Sequence, residues 1–189
     1  MNRKEFAQKL VALGVCPLAL INYGNLQETG NINSPADDEK FNQLKSEKEF
    51  VENWLSDLLE SMNKNLDRET QVKIVEGCGR SCFNRHRFKK DIAAAGKGDL
   101  EKLMEAYKNN FEIWREDETV HIRFGEVSPG CYCPAARYRT PTENDIHCEC
   151  TKATHQAIFE TALGKKFDID ILETVRRGGK TCHFLVYLS

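Results

Sequence analysis

The chain has 189 residues, of which 40% are hydrophobic and 30% are charged, and its formal net charge is −2. A chain of this length and composition can form one domain with a hydrophobic core. It contains no run of eighteen apolar residues, so we expect no integral membrane span, and its near-neutral charge gives no overall attraction to nucleic acid.

The chain ahead of the domain has the pattern of an export signal. Arg3 and Lys4 precede the apolar run 10–21, which resembles a twin-arginine signal with Arg-Lys in place of Arg-Arg. A short amphipathic helix packed on the domain is the alternative, because a proline interrupts the run and no clear cleavage site follows. Residues 22–38 are rich in Asn, Gly, Ser and Pro and are predicted to be a linker. We therefore predict that segment 1–37 is signal-like or flexible, with export favoured over a cytoplasmic location.

Three helices are predicted in the first half of the domain, which spans 38–189. Asp67 is predicted to cap the second helix and Asp99 the third. The first is a long amphipathic helix whose apolar stripe is expected to pack in the core. This stripe consists of Phe41, Leu44, Phe50, Val51, Trp54, Leu55, Leu58, Leu59 and Met62. Gly77 and Gly79 flank Cys78 on the second helix, and each glycine weakens a helix by about 1 kcal/mol. We therefore expect a close approach there by another backbone, a ligand or a metal.

The second half changes to a strand pattern. Residues 119–124 alternate with period two, and a helix is predicted from Thr151 to a left-handed cap at Gly164. Two further alternating runs, at 167–171 and 182–188, are joined through the Gly-Gly pair at 178–179 and predict an antiparallel hairpin. The fold class that follows is α+β, with a helical N-terminal half packed on a small antiparallel sheet that ends in a β-hairpin.

Eight cysteines carry the main chemical signal. Cys131, Cys133, Cys148 and Cys150 form two C-x-C pairs that flank one loop. In an extended strand, residues two apart have Cα atoms about 6.6 Å apart, which is poor geometry for a disulfide within a pair. A tetrahedral zinc ion with Zn–S bonds of about 2.3 Å tolerates a wider reach. We expect one zinc ion per chain, held mainly by these four thiolates.

Other ligands and other states of the thiols stay open at this point. Cys78 and Cys82 are four residues apart on the second helix, and they or His147 are rivals for a place in the site. Disulfides formed after export, or thiols that only pack, are alternatives to a metal. A different possibility is a cysteine nucleophile. Cys148 and Cys150 lie at a predicted helix N-terminus, which favours thiolate, and two histidines, His147 and His155, are near in sequence.

The C-terminal motifs resemble a known group of proteins. The stretch Phe159-Glu160-x-x-Leu163-Gly164 and the segment 172–184, with its G-x-x-x-C-x-F hairpin, are similar to the signature of bacterial 4-vinyl-reductase-like and L-2-amino-thiazoline-4-carboxylic acid hydrolase-like domains. The pairs Cys78/Cys82, Cys131/Cys133 and Cys148/Cys150 resemble those of cysteine-rich bacterial relatives of these domains. The resemblance covers about residues 76–188.

This resemblance implies an α+β domain that binds a small molecule, and in some members zinc is held by cysteines on and near the hairpin. Those relatives often carry a cysteine where this chain has Thr174, so a similar zinc site would need the C-x-C pairs, with Cys182 as the first substitute ligand. We expect a cysteine-rich zinc-binding domain that holds a small ligand for sensing or carriage. The alternative is a hydrolase that acts on a small cyclic or amide substrate.

Overall fold

The computed structural model of this chain describes residues 35–133, 135–136 and 139–189. The described part begins with helix α1 (Pro35–Asn65). The predicted export signal lies outside the described residues and stays a prediction. Helix α1 begins at Pro35 rather than near Asp38, with acidic residues in its first turn. These acidic side chains suit the positive end of the helix dipole.

The prediction that the stripe of α1 packs in the core is wrong for most of its length. Leu59 and Met62 are buried against Val75 and Ile146, and Leu55 packs beside them. The rest of the stripe is exposed, including Trp54 at 59%. The exposed members are Phe41, Leu44, Phe50, Val51, Trp54 and Leu58. Periodicity predicted the helix correctly, but the core cluster that receives it is small and covers only the C-terminal turns.

Three shorter helices follow, α2 (Arg68–Arg85), α3 (Arg87–Ala95) and α4 (Leu100–Tyr107). Both predicted N-caps are confirmed. A carboxylate oxygen of Asp67 accepts from the Thr70 N–H at 2.9 Å, and one of Asp99 accepts from the Lys102 N–H at 3.1 Å. Helix α3 was not predicted, because its nine residues make a periodic pattern of only about two to three turns.

A four-stranded antiparallel sheet follows α4 in the order β1-β2-β4-β3. Its strands are β1 (Glu112–Glu116), β2 (Thr119–Arg123), β3 (Ile169–Glu173) and β4 (His183–Tyr187). The predicted strand at 119–124 is confirmed as β2, whereas β1 was not predicted. The α+β class and the C-terminal strand hairpin are confirmed.

The hairpin turn differs from the prediction. Strands β3 and β4 are joined by nine residues, 174–182, which include a 3₁₀ turn, Val175–Arg177. Gly178 has φ +87° and follows this turn, but Gly179 does not have positive φ. The Gly-Gly pair is therefore one part of a longer connection rather than a two-residue turn.

Helix α5 (Cys148–Leu163) follows β2 and precedes β3 in the chain. It begins three residues earlier than predicted. Its predicted left-handed cap at Gly164 is confirmed, with φ 72°. The main core forms where α5 and helices α2 to α4 cover one face of the sheet. Its largest fully buried side chains are Tyr107, Phe159, Phe184, Leu103, Ile122, Ile158, Val120 and Val186. Within the described residues, no helix is long and apolar enough to cross a membrane.

Candidate functional site

Helices α2 and α5 meet at Gly79, where their backbones come into direct contact. A Cβ atom at this position would lie 2.2 Å from the Cys150 carbonyl oxygen, far inside contact distance. The Thr154 hydroxyl lies 3.0 Å from the Gly79 carbonyl oxygen, to which it donates. The close backbone approach predicted for this glycine pair is thus confirmed at Gly79, whereas a Cβ at Gly77 would meet nothing within 4 Å.

This contact brings thiols from three segments together. Cys78 is exposed and Cys82 half-buried on α2, Cys150 is half-buried in the first turn of α5, and Cys133 is half-buried in the irregular segment before it. Burial and, to a smaller degree, the neighbouring thiols of Cys82, Cys133 and Cys78 together raise the pKa of Cys150 to about 12. We call these four residues the α2–α5 thiol cluster.

Lys89 places a cation at this cluster. Its ammonium group donates to the Cys82 sulfur at 3.0 Å. The pKa of the Cys133 thiol is raised, chiefly by burial, while the Lys89 charge acts in the opposite direction on both Cys133 and Cys150. An ammonium at this distance stabilises thiolate. The cluster therefore combines three half-buried thiols and one exposed thiol with the positive charge of Lys89.

A second thiol group lies near the hairpin. Cys148 is buried, its thiol donates to the Thr174 hydroxyl at 3.0 Å, and burial raises its pKa to about 11. The Cys182 thiol adds to that rise, and the pKa of Cys182 is itself raised by burial and, to a smaller degree, by Cys131. Cys131, Cys148 and Cys182 form this hairpin thiol group.

The two C-x-C pairs are thus divided between the two groups. Cys148 and Cys150 lie in the first turn of a helix, where residues two apart point about 200° apart around the axis. Cys150 therefore faces α2 while Cys148 faces the hairpin. Among the described residues, all seven cysteines are free thiols, and no three Cys, His, Asp or Glu side chains are already positioned to hold a metal ion. Cys78 and Cys82 lie beside Cys150. Cys148 faces the hairpin, and Cys131 is a neighbour of both Cys133 and Cys182.

A buried ion pair holds the loop that leads into α5. The Asp145 carboxylate accepts from the Arg176 guanidinium at 2.6 and 3.0 Å, and it also accepts from the His147 N–H at 2.9 Å. Arg176 donates further to the Arg139 and Thr140 carbonyl oxygens. Sequence analysis missed this pair, because 31 residues separate its members and only the fold brings them together.

Neither His147 nor His155 forms a hydrogen bond with a thiol. His147 is buried beside Asp145 and the arginines, and its Nε2 atom has no partner among the described residues. His155 is buried between aromatic rings with its Nδ1 atom 3.2 Å from the Tyr107 hydroxyl, and burial lowers its pKa to about 3. No hydrogen bond joins a cysteine thiol to a histidine imidazole in the described part of the chain. The thiol–imidazole pair that a cysteine nucleophile needs is therefore not assembled there.

Comparison with known sequences places the chain in a family. Residues 22–189 match a family of unknown function, DUF6144. The chain belongs to this family. No curated protein has a significantly similar sequence.

Comparison with solved structures shows a shared fold. The chain is similar to trafficking protein particle complex subunit 3 from Naegleria fowleri, whose crystal structure has palmitic acid covalently bound. The TM-score is 0.51 at 14% sequence identity, and the match covers 77% of this chain and 96% of the other.

Proposed function

We propose that this chain is a cysteine-rich metal-binding domain in which the α2–α5 thiol cluster holds a zinc ion. The observation that carries the proposal is the meeting of Cys78, Cys82, Cys133 and Cys150 where α2 and α5 touch. Four thiolates are the ligand set of a closed structural zinc site, which is tetrahedral. This set differs from the sequence prediction, because Cys78 and Cys82 replace Cys131 and Cys148.

The environment of the cluster suits a bound cation. Burial and neighbouring thiols oppose the loss of a proton from Cys150, and an ion with positive charge removes that opposition. A zinc ion with four thiolates carries net negative charge, which the Lys89 ammonium beside Cys82 offsets. Zinc binding must draw the sulfurs to about 2.3 Å from the ion, and Cys133 lies in a segment without regular secondary structure that can close on the helices.

The small ligand of the proposal is assigned to a groove beside α1. The groove encloses about 460 Å³ and is lined by side chains of α1 together with Ala135. Leu44, Val51 and Leu55 make its walls mainly apolar, so an apolar ligand fits it best. The structurally similar trafficking subunit is covalently bound to palmitic acid, and a long-chain fatty acid is accordingly the first ligand to test. Val51→Glu is expected to weaken binding of a fluorescent fatty acid, and equal affinity in both proteins would remove this part of the proposal.

The hydrolase alternative has less support. It requires a thiolate next to a histidine with an orienting partner, and the described residues contain no hydrogen bond between a thiol and an imidazole. The zinc-binding domain therefore stands as the proposed function.

Metal analysis of single-cysteine variants tests the zinc proposal. The chain is purified under reducing, zinc-replete conditions, and zinc and free thiols are counted before and after chelation. Wild type is expected to carry one zinc ion per chain. Serine variants of Cys78, Cys82, Cys133 and Cys150 should lose it, while Cys131→Ser and Cys182→Ser should retain it.

The same variants separate the competing assignments. Loss of zinc in Cys131→Ser and Cys148→Ser, with retention in Cys78→Ser, would restore the ligand set predicted from the sequence. Absence of zinc from the wild-type protein, with thiols missing in pairs, would instead establish disulfides. Cobalt substitution gives a second readout, because thiolate–cobalt absorption reports how many sulfurs bind the ion.

A further inference from the structure

Two histidines lie side by side on the face of the sheet that is turned away from the helices. His121 is on β2 and His183 on the neighbouring β4, and the Nδ1 atom of His121 is 2.9 Å from the Nε2 atom of His183. Both strands alternate so that their other face is buried in the core, through Val120, Ile122, Phe184 and Val186. The histidines are therefore partly exposed and play no part in the core.

Residues of β1 fix the orientation of His121. The Trp114 ring stacks on the imidazole with a centroid distance of 4.7 Å and an interplanar angle of 2°. The Glu116 carboxylate lies 3.3 Å from His121 Nε2, and its other oxygen accepts from the Trp114 indole N–H at 2.9 Å. A carboxylate at Nε2 keeps the proton on that nitrogen, so the Nδ1 lone pair points toward His183.

The charges around the pair favour a cation. Three carboxylates lie on the same side of the sheet as the pair, those of Glu112, Glu116 and Glu173. Arg123 also lies there, and its Nε atom is 2.6 Å from a carboxylate oxygen of Glu112. Burial, together with the charges of His121 and Arg123, lowers the pKa of His183. Imidazole binds metal ions through the lone pair of its neutral form.

We propose that His121 and His183 chelate a divalent transition-metal ion of the copper and nickel class. Two nitrogen ligands about 2.0–2.1 Å from an ion and at right angles to each other are about 2.9 Å apart, whereas tetrahedral ligands would be about 3.3 Å apart. The 2.9 Å between the two nitrogens is the length of the hydrogen bond that joins them, and it also equals the spacing of a right-angled pair of ligands on a square-planar or octahedral ion. Rotation of the rings without a change in this distance therefore turns both lone pairs toward one ion. Water molecules complete the coordination, since no third metal-binding side chain is in position within the described residues.

Binding of the ion to this pair needs no oxidant, reductant or other reactant. In the free protein, with Glu116 fixing the His121 tautomer, the Nε2–H group of His183 donates to the Nδ1 lone pair of His121. The ion replaces that hydrogen bond and lies to one side of the line between the two nitrogens, and the His183 proton moves to its own Nδ1 atom. Each imidazole stays neutral and donates one lone pair. The site is independent of the α2–α5 thiol cluster and does not rest on the zinc proposal.

Calorimetric titration with Ni²⁺ tests the pair in the full chain without a polyhistidine tag. Chelation by two linked ligands strengthens binding by a factor of 10² or more, so His121→Gln and His183→Gln should each weaken the Ni²⁺ affinity about 100-fold. His86→Gln removes an exposed histidine outside the sheet and should leave it unchanged. Glu116→Gln should weaken it about 10-fold, because a carboxylate that orients a histidine ligand contributes that much.

A double variant, with both histidines replaced by glutamine, distinguishes Ni²⁺ bound by thiols from Ni²⁺ bound by the histidines. Ni²⁺ that still binds when both histidines are replaced by glutamine belongs to cysteines, and the wild type should bind one ion more than this variant. Pulsed electron paramagnetic resonance with substoichiometric Cu²⁺ should show two equatorial imidazoles in wild type and one in either single variant. Equal Ni²⁺ affinity in wild type, His121→Gln and His183→Gln would overturn the proposal, as would a Cu²⁺ spectrum without imidazole nitrogen.

Discussion

The carbonyl oxygen of Cys150 occupies the space that a side chain at Gly79 would need, with a Cβ atom there lying only 2.2 Å away. Helices α2 and α5 can therefore approach each other at this point only because position 79 carries no side chain. The same approach sets Cys78 and Cys82 beside Cys150. One glycine thus links the packing of the two helices to the geometry of the proposed zinc site.

Gly79→Ala is expected to lower the free energy of unfolding by about 1–3 kcal/mol, because the methyl group forces the helices apart. Gly77→Ala is the matched control on the same helix, where a Cβ meets nothing within 4 Å. That control should be neutral or raise stability by about 0.5–1 kcal/mol, as alanine favours the helix. Urea denaturation measures both variants, and equal destabilisation of the two would contradict the packing argument.

Asp145→Asn is expected to destabilise the chain by about 3–5 kcal/mol, since it leaves the buried Arg176 guanidinium without a charged partner. The exposed ion pair between Arg87 and Asp91 is the control, with an N···O distance of 3.8 Å. Asp91→Asn should change stability by less than about 1 kcal/mol. Chemical denaturation of both variants decides the point, and a small loss for Asp145→Asn would show that the pair is dispensable.

Stability should fall as the pH drops below about 6.5, and His155 is a main cause. Burial lowers its pKa to about 3, whereas an unfolded histidine has a pKa of about 6.5. A histidine that is held neutral stabilises the fold above the unfolded pKa, and this contribution is lost as pH falls from 6.5 toward 3. The slope contributed by one such group approaches about 1.4 kcal/mol per pH unit.

His155→Phe isolates this effect, because it keeps an aromatic ring among Phe111, Phe124 and Phe184 but cannot bind a proton. The variant loses the partner of the Tyr107 hydroxyl, which adds a cost that does not depend on pH between 4 and 7. Urea denaturation at several pH values should show a shallower slope than in wild type. Parallel curves for the two proteins would assign the pH dependence to other groups.

The Asp145 carboxylate should contribute at lower pH. Burial alone would raise its pKa, but the His147 N–H and the guanidinium groups of Arg176 and Arg139 together hold the pKa below its usual range. The stability it contributes is present above the unfolded pKa of about 3.9 and is lost as pH falls through the lower, folded value. The free energy of unfolding of wild type and Asp145→Asn is compared across pH. If the two pH profiles differ at pH 5–6 rather than below pH 4, this assignment is wrong.

Thr174→Cys is expected to create an additional zinc site. The Thr174 hydroxyl lies 3.0 Å from the Cys148 sulfur, and the Cys182 thiol is near enough to raise the pKa of Cys148. A thiol at position 174 would join the hairpin thiol group and supply the ligand that the resemblance in the sequence implies at this position. The variant should bind one zinc ion more than wild type, whereas Thr174→Val should bind no more. Equal zinc content in all three proteins would show that this group does not close on an ion.

Much of the local structure could be predicted from the sequence. Asp67 and Asp99 cap their helices and Gly164 ends α5, because capping depends on side-chain oxygens and backbone freedom within a few residues. The α+β class and the terminal hairpin were likewise predictable from the change of hydrophobic period. These features depend on near neighbours in the chain.

The partners of each cysteine were decided by the tertiary structure. The spacing of Cys148 and Cys150 placed them together under the assumption of an extended backbone, but α5 begins at Cys148 and turns the two side chains to opposite sides. Cys78 and Cys82 then reach Cys150 because α2 lies against α5 at Gly79. The pairing of Asp145 with Arg176 and of His121 with His183 likewise joins distant segments. Local sequence therefore determined where most helices and most strands form. The packing of helices and the register of strands determined which thiols, charges and imidazoles meet, because those contacts join residues far apart in the chain.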